Sequence, residues 1–259
     1  MPASLRVLLL QIRDNPRVCV EEHQSFAAYS GLRRDQIQVL NVFEEPAFEP
    51  RVVDDFAALF IGGASDSVLD HHDRPYRPAC EALIRHCIQH DVPVFASCFG
   101  FQLAVQVLGG EILRDGENFE MGTLPIRLHE AAARDPLFRD VTDGFLAVSV
   151  HKDLAPDAPP GCESLAYTER CCHAFRVQGK PFWAFQFHPE VDRDTLVERL
   201  TAYKTQYTRD DQHLARIIDE TQQTPGSNGL VQHFVERVLL PRMPAGSGLE
   251  LTEHDQRSG

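Results

Sequence analysis

Apolar positions follow two alternating rhythms over the first two-thirds of the chain. Residues 6–12, 37–42, 57–61 and 92–96 form short runs with little polar face, which predicts strands buried on both sides. Between them, 15–30, 78–90 and 99–108 carry helical spacing. Asn15-Pro16 supplies an N-cap with a proline in the first turn, and Gly31 and Gly109-Gly110 stop two of these helices. Strand and helix alternating in this way imply an α/β fold, a mostly parallel sheet with helices on both faces. From Gly122 the rhythm changes. Closely spaced strands are expected at 122–128, 145–150, 163–167, 172–177 and 182–187, then helices at 192–207, 209–222 and 227–240. Beyond 241 the chain is polar and turn-rich, as in a frayed tail. No long linker interrupts the pattern. Residues 1–200 therefore read as one domain, 201–240 as a helical C-terminal extension and 241–259 as a disordered tail.

Composition narrows the partners. The 259 residues carry 38 acidic and 25 basic side chains, a formal charge of −13, which argues against a phosphate-backbone binder. The uncharged stretch between Asp91 and Glu111 is nearly of membrane-span length, but it holds Pro93, Ser97, Gly100, Gln102 and Gln106. It reads better as a buried strand turning into a buried helix. Neither nucleic acid nor membrane is expected as a partner. The apolar run 7–10 is too short for a secretory signal. Seven cysteines, an odd number in a large chain, speak against a disulfide framework and for a reducing cytoplasm. Cys80, His86, Cys87 and His90 share a helix, but their intervals fit no common zinc pattern, and no metal or cofactor is expected.

Three segments carry chemistry. In PVFASCFGFQLAVQVLGG, residues 93–110, a strand ends at Ser97 and a helix begins after Cys98. Small neighbours, Ala96 and Gly100, permit the tight turn of a nucleophile elbow. The helix N-terminus stabilises a thiolate at Cys98, and its amides, beginning with Phe99, suit an oxyanion. In FWAFQFHPEV, residues 182–191, Pro189 is expected to hold the backbone extended, so that His188 and Glu190 point the same way. Cysteine nucleophile, histidine base and acidic orienter make a triad. In ALFIGGASDSVLD, residues 58–70, a strand empties into Gly62-Gly63, where backbone amides can approach a ligand.

Together these segments resemble the class I glutamine amidotransferases, of the kind found in GMP synthase and free-standing relatives, over roughly residues 5–200. The family's G-x-C-x-G-x-Q motif stands as Ala96 to Gln102, with Ala96 replacing the first glycine. The H-P-E motif stands as His188-Pro189-Glu190, the glycine loop as Gly62-Gly63 with trailing Ser67-Val68, and the H-x-D turn as His151-Lys152-Asp153. The resemblance implies a flavodoxin-like sheet with a small antiparallel addition. It implies catalytic residues Cys98, His188 and Glu190, an oxyanion hole from the amides of Gly63 and Phe99, and a glutamine pocket lined by Gly62, Gln102, Ser149, Val150 and His151. The expected substrate is glutamine or another γ-glutamyl compound, and a separate synthetase is a possible partner. A γ-glutamyl peptidase needing no synthetase, or a catalytically silent binding or scaffold protein of the same fold, is the alternative. Homo-oligomerisation is left open.

Overall fold

The computed structural model describes residues 1–2, 4–64, 67–70, 73–116, 119–202 and 210–243. Its main sheet has nine strands: β1 (Val7–Gln11), β2 (Ile37–Asn41), β3 (Ala58–Ile61), β4 (Val94–Ser97), β6 (Glu120–Leu128), β7 (Phe145–His151), β9 (Cys162–Tyr167), β10 (Cys172–Val177) and β11 (Phe182–Phe185). Their spatial order is β2-β1-β3-β4-β11-β10-β9-β6-β7. The first five run parallel. From β10 onward every pairing is antiparallel. Two short strands, β5 (Leu113–Arg114) and β8 (Asp153–Leu154), make a separate antiparallel pair.

The parallel half shows why its strands read as solid apolar runs. In β1, Val7 and Leu9 enter one core with Phe26, Phe60 and Phe95. Leu8 and Leu10 enter another with Leu59, Ile61 and Leu83. Successive side chains alternate between faces, and both faces are covered by helices. Helix α1 (Pro16–Ser30) is capped by the Asn15 side chain, which accepts from the amides of Arg17 and Val18, and ends at Gly31 in the left-handed region (φ 69°). Such an N-cap is worth about 1 kcal/mol. Helices α2 (Arg77–Gln89) and α3 (Phe99–Val107) cover the second face. The uncharged 92–110 stretch is therefore β4 turning into a nine-residue buried helix, and no described helix is long and apolar enough to cross a membrane.

The C-terminal helices divide in role. Helices α4 (Arg193–Ala202) and α5 (Asp211–Glu220) pack on a small third cluster with Val148 and Val191. Helix α6 (Pro225–Phe234) continues into a wider π turn, Val235–Leu239. Leu230, Val231, Phe234 and Val238 join the first core, where the Phe234 ring meets Phe60, Phe95 and Trp183. The segment past 200 thus ends in a layer that covers the sheet. Residues 203–209, and the tail from 244 onward, lie outside the described residues.

Candidate active site

The three motif segments converge at the carboxyl ends of adjacent parallel strands, where ligands bind in open α/β sheets. Cys98 sits between β4 and α3 with φ 50° and ψ −100°. A side chain at positive φ is strained and persists only where the surroundings hold it. Here the Cys98 amide donates to the Phe185 carbonyl at 2.7 Å and its own carbonyl accepts from the Gln102 amide at 3.0 Å. A Cβ on Gly100 would come within 2.8 Å of Ile61 and 3.2 Å of Ala96, so α3 reaches the sheet only because that position is glycine. Ala96 is accommodated because the positive φ falls on Cys98, two residues later.

His188 follows β11, and its amide donates to the Val148 carbonyl of β7 at 2.8 Å. Its ring stands beside Cys98, both lying against Gly63, and Nδ1 lies 2.8 Å from Glu190 Oε1. Glu190 is fully buried and His188 nearly so. The backbone differs from the sequence expectation. β11 stops at Phe185, and His188 to Val191 form a turn closed by the Val191 amide on the His188 carbonyl at 3.2 Å. The two side chains meet through this turn, not through an extended strand.

The electrostatics favour a charged pair. Burial alone pushes the His188 pKa down. The negative charges of Cys98 and then Glu190 outweigh it and hold the imidazole up at about 9. Burial pushes Glu190 up, but the His188 charge and hydrogen bond overcome it and leave the carboxyl below its ordinary value.

Nothing in the motif pattern singles out the residues that brace the glycine loop. The Arg13 Nε donates to Glu22 Oε1 at 3.1 Å, and both side chains are buried. A Cβ on Gly62 would meet the Glu22 carboxylate at 2.6 Å. One on Gly63 would meet Arg13 Nη2 at 2.7 Å and the His188 ring at 2.9 Å. The available signal is an acid on the apolar stripe Val18-Glu22-Phe26, spaced by four. The C-terminal layer also reaches the site: the Asn228 amide donates to the carbonyls of Pro189 and Val191 at 2.8 and 3.0 Å.

A cavity of about 640 Å³ opens beside the thiol, and Cys98, Phe99, Gln102, Val150 and His151 line it. Gly63 stands beside Cys98 and Gly62 against Glu22, and Ser149 is fully buried in β7, so none of the three lines the cavity. Gln102 Nε2 and His151 Nδ1 converge on the Asp153 carbonyl, both at 3.0 Å. The Asp153 carboxylate is held by Arg114 at 3.1 Å and by the Ser67 hydroxyl. Arg74, Phe119 and Lys152 extend the far wall. All seven cysteines are free thiols. Cys80 and Cys87 are core residues whose pKa burial raises to about 12, and His86 pairs with Asp54 at 2.7 Å.

Elbow, glycine loop and His-Pro-Glu turn meeting at the strand ends define a class, and comparison with known proteins agrees. The glutamine amidotransferase class-I family matches residues 34–202, and the chain belongs to that family. It is similar to GMP synthase [glutamine-hydrolyzing] of Thermotoga maritima, 31% identical over 174 residues, which cover 66% of this chain and 32% of that protein. It is also similar to a GMP synthase [glutamine-hydrolyzing] subunit from Thermococcus kodakarensis, 31% identical over 113 residues, 43% of this chain and 58% of that one. The chain thus spans about a third of the length of the full-length synthases it matches. In fold it resembles a crystal structure of a glutamine amidotransferase from Thermotoga maritima, with a TM-score of 0.72 at 19% identity, covering 92% of this chain and 99% of that one.

Proposed function

We propose that this chain hydrolyses the γ-amide of glutamine through a γ-glutamyl thioester on Cys98. The observation that carries the reading is His188, hydrogen-bonded to the buried Glu190, standing against Cys98 at the strand ends. The Cys98 thiolate attacks the γ-carbonyl carbon, and the carbonyl electron pair moves onto oxygen, facing the amides of Gly63 and Phe99. Collapse of the intermediate breaks the C–N bond, and His188 delivers its proton to the departing ammonia. Water then attacks the thioester, giving up a proton to His188, and glutamate leaves as the thiolate reforms. Glu190 fixes the ring orientation throughout. Gln102, Val150 and His151 flank the substrate.

In this reading residues 1–200 are the amidotransferase unit and ammonia passes to a separate synthetase. The Thermococcus relative bears the name of one subunit of a GMP synthase, which supports such a partner. Seven free thiols support a reducing, cytoplasmic setting. A second reading, a stand-alone γ-glutamyl hydrolase, is favoured by the size of the cavity, whose wall continues past the thiol to Arg74, Arg114 and Lys152. The test is turnover of L-glutamine and of a γ-glutamyl dipeptide panel by the full chain beside Cys98→Ala. Glutamine or dipeptide turnover lost in the variant supports the thioester route, and the preferred substrate separates the two readings. Turnover that persists in the variant refutes both.

A further inference from the structure

Away from the triad, four metal-ligating side chains meet in the antiparallel half. Glu120 opens β6 opposite His151, which closes β7. Cys171 and His173 flank the start of β10. One donor atom from each lies within 4.8 Å of all the others. Glu120 Oε2 is 2.9 Å from His151 Nε2, 2.8 Å from His173 Nε2 and 3.7 Å from Cys171 Sγ. The imidazoles are 2% and 0% exposed and the Glu120 side chain 10%.

Hydrogen bonding alone leaves this cluster unsettled. His151 Nδ1 lies 3.0 Å from the Asp153 carbonyl, which only accepts, so Nδ1 carries the ring proton. Nε2 then faces the Glu120 carboxylate oxygen. Near as that oxygen is, Nε2 is buried without a hydrogen-bond partner, and so is His173 Nδ1. Buried groups of this kind are normally satisfied. A cation among the four donors gives His151 Nε2 a partner and binds the Glu120 Oε2 that otherwise accepts from His173 Nε2. Metal-bound imidazoles are typically held in this way, one nitrogen on a carbonyl and the other turned inward. Two imidazoles, a thiolate and a carboxylate suit zinc or cobalt better than calcium or magnesium. Bond lengths of about 2.0–2.3 Å place tetrahedral ligands roughly 3.3–3.7 Å apart. The two shortest separations would open by about half an ångström, and Cys171 already stands at the right distance.

We propose that Glu120, His151, Cys171 and His173 form a four-ligand site for a divalent transition-metal ion of the zinc class. Binding releases the Cys171 thiol proton to solvent, and thiolate, carboxylate and dication sum to neutrality. Four protein ligands leave no open position, so the ion is structural. It ties β6, β7 and β10 together behind the Asp153 carbonyl that Gln102 also uses. The inference does not depend on the hydrolytic reading.

The test uses the full chain as Cys98→Ala, so that the elbow thiol contributes no ligand. After chelation and dialysis against Co²⁺, the expected result is a single equivalent of cobalt, with the visible bands of tetrahedral Co²⁺ and a near-ultraviolet thiolate charge-transfer band. In that background Cys171→Ser should lose the charge-transfer band, and His173→Gln should lower bound metal by about tenfold or more. Saturating Zn²⁺ should raise the Tm of the parent by several degrees, through preferential binding to the folded state, and leave His173→Gln unmoved. A parent that binds no stoichiometric metal, or a charge-transfer band that survives Cys171→Ser, overturns the proposal.

Discussion

The parallel and antiparallel halves of the sheet serve the cavity differently. In the parallel half each reactive group lies at or just past the end of its own strand: Gly62-Gly63 directly after β3, Cys98 directly after β4, and His188 three residues past the end of β11. In the antiparallel region the wall is assembled across strands. The Asp153 carbonyl of β8 receives Gln102 and His151, its carboxylate receives Arg114 of β5, and Glu120 of β6 meets His151 of β7 and His173 of β10. The lesson is a division of labour. Under the proposed mechanism, bond-making chemistry falls on the doubly covered parallel half and substrate positioning on the antiparallel half. Substitutions in the first should therefore act on kcat and those in the second on KM.

The largest expected effect that tests this division is Gly63→Ala. The new methyl collides with Arg13 and the His188 ring, and displacing a catalytic group by about an ångström costs on the order of 10²-fold in rate. Steady-state kinetics should show the loss in kcat with KM little changed; a pure KM effect would blur the comparison. Next is Asn228→Ala, which strips two hydrogen bonds from the His-Pro-Glu turn. Leaving those carbonyls unsatisfied should cost about 1–3 kcal/mol in denaturant unfolding, and kcat should fall about tenfold. A comparable effect comes from pH. His188 holds its proton up to about 9, so as pH rises through that value the acid that protonates departing ammonia is lost. The rate should then drop about tenfold per unit. Cys98→Ala removes the negative neighbour that raises the His188 pKa, so the ring titration followed by NMR should move to lower pH. The smallest effect is Arg114→Ala. It removes a half-exposed partner from the buried Asp153 carboxylate, which keeps the Ser67 hydroxyl, and should raise KM several-fold while kcat holds.

What the sequence discloses follows the same division. Strands β1, β3 and β4 are legible because residues buried on both faces leave an unbroken apolar run. The elbow and the His-Pro-Glu segment are legible because their chemistry is local: a few consecutive residues contain the turn, the small neighbours and the reactive group. The turn at His188 reads as extended in the sequence because proline restricts only the residue before it and its own φ, while the Val191 amide closes the backbone from further on. Arg13 and Glu22 are nine residues apart, and Glu120 and His173 fifty-three. Only the folded register brings such partners together. The two-residue strands β5 and β8 are too short to show a periodicity at all.

The most direct test of the central claim is to trap the thioester. The full chain is mixed with L-glutamine or a γ-glutamyl dipeptide, quenched in acid during turnover, and its peptides are weighed by mass spectrometry. The account predicts a γ-glutamyl group on the peptide containing Cys98, absent from the Cys98→Ala protein and accumulating in Glu190→Gln no faster than in the parent. Turnover with the label on any other cysteine, or continuing in Cys98→Ala, would contradict it.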